Sequence, residues 1–101
     1  MTNPGILKKF IKHIMEIHEI ATALRGFIRE RYGVPENDPD FNDDVDLFNY
    51  GYVDSFGAVD LTSFIEKQFA IKFKNSDWVA FPLSTINQIS SFVSKRKKGE
   101  L

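Results

Sequence analysis

Seven apolar residues near the start of the chain, Leu7, Phe10, Ile14, Ile17, Ala21, Leu24 and Ile28, alternate spacings of three and four. A helix puts such positions on one face, so the pattern predicts a helix over residues 6–31. Ile6, Ile11, Met15, Ile20 and Phe27 widen the stripe. Pro4 and Gly5 open it, and Gly33 with Pro35 closes it. At about 1.5 Å per residue the helix would be roughly 39 Å long. That is long for a chain of 101 residues, which is the size of one domain. The first turns are therefore expected either to project beyond the core or to form a separate helix after a kink.

Residues 33–54 read as loop, because turn formers replace the periodicity. Glu36, Asp38, Asp40, Asp43, Asp44 and Asp46 make this segment acidic. Asp38, Asp40 and Asn42 invite a calcium-loop reading, but Asp43 stands where that loop needs glycine and Asn49 where it needs glutamate. Val45, Leu47 and Phe48 are expected to pin the loop to the core, and Gly51 to turn it. A second helix is predicted over 55–69, with Ser55 as a good N-cap type and Asp54 adding charge at the favourable end. Ala58, Leu61, Ile65 and Phe69 share the face assigned to the core, flanked by Phe64. Phe56, Val59, Asp60, Ser63 and Lys67 fall largely on the other side. Residues 70–83 read as a connector that inserts Ile71 and Phe73 into the core. Ser76-Asp77-Trp78 caps a short turn ending before Pro82, with Trp78 a packing residue. A last helix runs from Ser84 or Thr85 to about Lys97, with Ile86, Ile89, Phe92 and Val93 inward and Gly99 beyond its end. The expected fold is all-α, with three main helices, one short helix and a long loop between the first two main helices. Residues 1–17 form an N-terminal helical extension, 18–95 the domain proper, and 96–101 a basic tail.

Composition removes most chemistry. There are no cysteines, hence no disulfides, thiolate metal sites or cysteine nucleophiles. His13 and His18 are five apart and do not share a helix face, so no metal site is expected. A net charge of −1 supplies no field to draw in nucleic acid. Lys95, Arg96, Lys97 and Lys98 lack interleaved aromatics to stack bases and read as a solvated helix end that complements the dipole. No apolar run approaches the roughly 20 residues that span a bilayer. Lys8, Lys9, Lys12 and His13 interrupt the first segment, unlike a secretory signal. A cytoplasmic monomer without membrane insertion is expected. Ser55 has Gly57 two residues on, but Val53 two before, and no sheet is predicted, so it does not fit a hydrolase nucleophile turn. Its hydroxyl lies at a helix start, where unpaired N–H groups and the dipole favour a phosphate-linked group. This is the profile of a carrier or a binding module, not of an enzyme.

The stretch Asp46-Leu47-Phe48, Gly51, Asp54-Ser55-Phe56 and the amphipathic helix after it resembles the acyl carrier and peptidyl carrier protein superfamily. The likeness runs from about His18 to Val93. The resemblance implies that Ser55 receives 4'-phosphopantetheine from coenzyme A through a phosphopantetheinyl transferase. The arm would then hold acyl or aminoacyl groups as thioesters. It implies that Asp54 helps hold a transient magnesium during that transfer. Phe56, Val59, Asp60, Ser63 and Lys67 would then lie on the partner-recognition surface. The partners implied are a loading ligase and a downstream transferase or synthase. Phe56-Gly57 after the serine looks more like the DSMG pattern of D-alanyl and other specialised carriers than like the central fatty-acid carrier. That pattern points to a specialised lipid, polyketide, peptide or cell-envelope pathway. The alternative is an unmodified helical module that docks through Phe56 and Val59.

Overall fold

The computed structural model describes residues 4–101; residues 1–3 of the expected extension lie outside the described residues. Four helices follow one another: α1 Pro4–Tyr32, α2 Ser55–Phe69, α3 Asp77–Ala80 and α4 Ile86–Lys97. No strand occurs among the described residues. The all-α architecture, the long loop before α2 and the short third helix are as the sequence leads one to expect.

Of the two expectations for α1, projection is the one observed. A single helix of 29 residues gives a length of about 43 Å, and the molecule measures 47 × 32 × 21 Å. Burial begins at Ile20 and continues through Ala21, Leu24 and Ile28. Leu7, Phe10 and Ile14, the first three members of the apolar stripe, are exposed. The stripe is thus continuous in sequence, while the core covers only its second half. There α1 packs chiefly on α4, whose Ile86, Ile89, Phe92 and Val93 are all buried. Thr85 opens α4 with a capping box: its hydroxyl accepts the Gln88 N–H, and the Gln88 side chain accepts the Thr85 N–H. This satisfies two otherwise orphaned donors.

The core face of α2 is turned slightly from the expected one. Gly57, Leu61 and Ile65 are buried, whereas Ala58 and Phe69 are half-buried. Phe27 of α1 stacks on Phe64 with centroids 4.3 Å apart, and Phe64 meets Phe69 edge-on at 6.3 Å. Phe69, expected on the core face, thus packs at its edge beside the flanking Phe64.

The acidic loop is ordered by its own side chains. Asp38 accepts the Asp40 N–H at 2.9 Å, and Asn42 accepts the Asp44 N–H at 2.8 Å. Tyr52 donates to Asp38 at 2.9 Å; the loss of water around its ring and that bond push the Tyr52 pKa up to about 12. The alternate Asp and Asn residues therefore act as turn locks. Val45 and Leu47 are buried as expected, and Phe41 joins them. Arg25 pairs with Asp43 at 3.0 Å, and the Asp43 carbonyl accepts the Asn87 N–H at 3.0 Å. The loop is thus sewn to both α1 and α4.

Two expectations at the C-terminal side need correction. Ser76 makes no side-chain cap; the work falls to Asp77, which is buried. Its carboxylate accepts the Lys74 N–H at 2.7 Å and the Arg96 guanidinium at 2.8 and 3.3 Å. Arg96, expected in a solvated tail, lies over the Phe92 ring at 4.6 Å and also donates to the Lys72 carbonyl at 3.1 Å. One ion pair therefore fastens the connector to α4. Lys97 and Lys98 likewise reach Glu16 of α1 at 3.6 and 3.9 Å, and Lys98 also meets His13.

Burial alone would raise the Asp77 pKa, but the Arg96 and Lys74 hydrogen bonds outweigh it and hold the carboxyl below its usual value. A depressed folded pKa contributes stability above the unfolded value, and that contribution is lost as pH falls through the folded one. Arg96→Ala should cost about 3 kcal/mol at neutral pH, because it strands a buried carboxylate. It should also flatten the decline in stability below about pH 4. Urea titrations of both proteins across that range measure the two effects.

Candidate functional site

The approach to Ser55 is a closed loop built on Asp46. Its carboxylate accepts the Phe48 and Asn49 N–H groups at 3.1 and 3.0 Å and the Asn49 amide at 2.9 Å. Gly51 turns the chain at a φ of 77°, in the region where glycine carries no side-chain penalty. The Val53 N–H then closes on the Leu47 carbonyl at 3.0 Å. Leu47 and Val53 are both buried, so Asp54 and Ser55 emerge from a fixed base.

At the joint, the structure corrects the expected roles. Asp54 is the N-cap of α2: its backbone is extended and Oδ1 accepts the Gly57 N–H at 2.7 Å. Ser55 is the first helical residue, and its side chain is exposed. An aspartate cap satisfies an orphaned N–H and places negative charge at the positive end of the helix. The second carboxylate oxygen of Asp54 is left on the solvent side, beside the Ser55 hydroxyl in sequence.

Gly57 is the residue whose importance the spacing did not reveal. Tyr32, the last residue of α1, donates its hydroxyl to the Gly57 carbonyl at 3.0 Å. Burial first, and the charge of Asp60 second, raise the Tyr32 pKa, so the phenol stays a donor well above neutral pH. Gly57 is therefore held through both its backbone groups, by Asp54 at its N–H and by Tyr32 at its carbonyl. A Cβ on residue 57 would lie 3.0 Å from the Tyr32 hydroxyl oxygen and 3.0 Å from Val53 Cγ1. The available signal was a lone glycine one turn into a helical pattern.

The five expected partner-facing residues divide between two sides of α2. Val59 and Ser55 border a cleft of about 470 Å³, floored by Phe48, Trp78, Phe81 and Leu83. Trp78 is fixed there by donating to the Thr62 hydroxyl at 3.0 Å and meets Phe48 edge-on. Asp60, Ser63 and Lys67 line a shallower groove of about 270 Å³ with Phe27 and Arg31. Asp60 is paired with Arg31 at 3.0 Å. Phe56, with 85% of its surface exposed, stands beyond both. Trp78, Phe81 and Leu83 carried no sequence signal for this role, because α3 is too short to show a period.

Replacing glycine by alanine inside a helix ordinarily gains about 1 kcal/mol. Gly57→Ala should instead lose about 1 kcal/mol, a fall in Tm of about 4–8 °C, because the Tyr32 contact and buried Val53 must give way. In a Tyr32→Phe background, which lacks the crowding oxygen, the alanine penalty should shrink. Thermal melts of the four proteins give the coupling.

Comparison with protein families matches residues 22–93 to the phosphopantetheine attachment site family. A search of curated proteins found no match, and neither did a search of solved structures. The matched span begins in the buried half of α1 and ends within α4, so it takes in the capped serine turn and all of the core but Ile20 and Ala21. The chain belongs to the phosphopantetheine attachment family, as a non-catalytic carrier domain whose prosthetic group is 4'-phosphopantetheine.

Proposed function

We propose that Ser55 is the attachment point and that the domain carries apolar acyl groups between partner enzymes of a specialised pathway. The observation that carries this reading is the exposed Ser55 on the first turn of a helix whose Gly57 is held through both its N–H and its carbonyl. The residues fit the group: the helix start offers free N–H groups to a phosphodiester, and no side chain covers the hydroxyl. When bound, the arm supplies the thiol that a cysteine-free chain lacks, and an acyl group rides on it as a thioester.

The chain's own residues have separable tasks in this reading. Asp54 keeps the first turn wound through Oδ1 and offers its other oxygen to a transient magnesium during transfer. Phe56 is the contact for the transferase and for enzymes that read the loaded arm, since an aromatic ring this exposed gains most from being covered. Val59 lies between that contact and the cleft. Asp60, Ser63 and Lys67 lie on the other side, where Asp60 already shares its charge with Arg31; they tune the rim of the docking surface. The cleft is walled by Phe48, Val59, Trp78, Phe81 and Leu83, which favours a hydrocarbon cargo over a charged aminoacyl one. A nearly neutral chain with an aromatic at position 56 favours apolar docking over acidic-helix docking, and hence a dedicated set of ligase and transferase partners over the general fatty-acid machinery.

Incubation with coenzyme A and a broad-specificity phosphopantetheinyl transferase should add one phosphopantetheine to the wild type and none to Ser55→Ala, as read by intact mass. Phe56→Ala should retain the site and load at least about 10-fold more slowly, a loss of roughly 1.4 kcal/mol at one docking contact. An unmodified docking module would give the opposite pattern, with Ser55→Ala fully functional and no mass gain from any transferase.

A further inference from the structure

The half of α1 outside the matched family span carries the largest unpartnered apolar surface of the described chain. Ile6, Leu7, Phe10, Ile11, Ile14 and Met15 are each between 48% and 64% exposed. At about 3.6 residues per turn they occupy roughly half the circumference of the helix, with Lys8, Lys12, Glu16 and Glu19 along the border beside Ile11 and Met15. Each leaves on the order of 100 Å² to water, so the patch approaches 600 Å². A monomer seldom exposes more than that, and a standard interface uses about 800 Å² per partner.

We infer that this face is the interface of a two-fold dimer, in which two α1 helices pair antiparallel through their N-terminal halves. Three observations select a second copy as the occupant. The three-and-four spacing of Leu7, Phe10, Ile14 and Ile17 is that of a helix-on-helix seam, and it continues directly from the stripe that already packs on α4. Charge is ordered along the border of that face, with Lys8 and Lys12 before Glu16 and Glu19. Antiparallel pairing sets the lysine end of one copy beside the glutamate end of the other and opposes the helix dipoles, whereas parallel pairing stacks like on like. The area suits an isologous pair, in which one patch serves both subunits.

The geometry keeps the carrier site free. With the two-fold axis near residue 12, Leu7 of one copy meets Ile17 of the other, and Phe10 meets Ile14. Tyr32, which touches Gly57, then lies about 30 Å from the axis. The two Ser55 turns point outward at opposite ends, about 60 Å apart. This departs from the monomer expected from the sequence, and it does not depend on what Ser55 carries.

Sedimentation equilibrium of the full chain from about 1 to 500 µM should give a dimer with a micromolar Kd. Phe10→Glu and Ile14→Glu should each weaken it at least about 30-fold. Their circular dichroism should match wild type, because neither side chain belongs to the core. Because the chain has no cysteines, single introduced thiols report the direction. Ile11→Cys should form a disulfide dimer on mild oxidation, while Ile6→Cys, offset by about 18 Å from its mate, should not. A wild type that stays monomeric to about 500 µM overturns the dimer, as does a dimer untouched by both glutamates. Equal cross-linking at positions 6 and 11 overturns the antiparallel arrangement. Pelleting of a monomeric wild type with phosphatidylglycerol vesicles overturns it in favour of a lipid surface.

Discussion

Leu47 is the point on which the rest of the molecule closes. The segment between α1 and α2 has no regular hydrogen-bond ladder, so each of its backbone groups needs an individual partner. Leu47 buries its side chain completely, donates its N–H to the Ser84 carbonyl at 2.8 Å and accepts the Val53 N–H. The first bond ties the loop to the residue before the α4 cap. The second closes the turn that delivers Asp54. Burying a leucine contributes about 2 kcal/mol, but the larger effect is positional. With Leu47 in place, the cap of α4 and the start of α2 are held to one another through a single residue of loop.

The helices were legible because each carries enough turns to show a period. The loop anchors were legible because Val45, Leu47 and Phe48 are apolar residues in an acidic segment. Ser55 stood out through its place between a glycine turn and an amphipathic helix. What escaped has a common physical character, in that each feature depends on a partner distant in sequence. Asp54 rather than Ser55 caps α2, although both are good capping types; the choice is made by where the Leu47–Val53 closure leaves the chain. Gly57 is small because Tyr32 arrives from α1. Asp77 and Arg96 are 19 residues apart, and nothing local marks Arg96 apart from its basic neighbours. The cleft beside Ser55 is formed by the loop, α2 and the segment around α3, so no single stretch announces it.

The two ends of α1 illustrate how one sequence pattern can meet two environments. From Ile20 onward the stripe is covered by α4, and its terminal Tyr32 reaches across to hold the first turn of α2. Before Ile17 the same spacing continues without cover. Nothing in the alternation of three and four distinguishes the halves, since both satisfy the same helical face. The difference lies in the length of α4, whose 12 residues reach about 18 Å against the roughly 43 Å of α1. A partner helix of that length can cover no more than about half of α1.

That mismatch bears on how a carrier domain works. A tethered cargo gains from the flexibility of its arm only if the attachment residue itself does not move, since effective concentration falls when the anchor wanders as well as the linker. The Ser55 turn is stiffened from both directions, by the Asp54 cap on the Gly57 N–H and by the Tyr32 bond to the Gly57 carbonyl. The Tyr32 bond comes from the same long helix whose opposite end is free. At this end α1 meets α2 through the Tyr32 bond to Gly57, the Phe27–Phe64 stack and the Arg31–Asp60 pair. The Arg31–Asp60 pair beside it is half-exposed and contributes less than about 1 kcal/mol, too little to hold the site alone. The serine turn is therefore held mainly by the half-buried Tyr32 contact and the Asp54 cap.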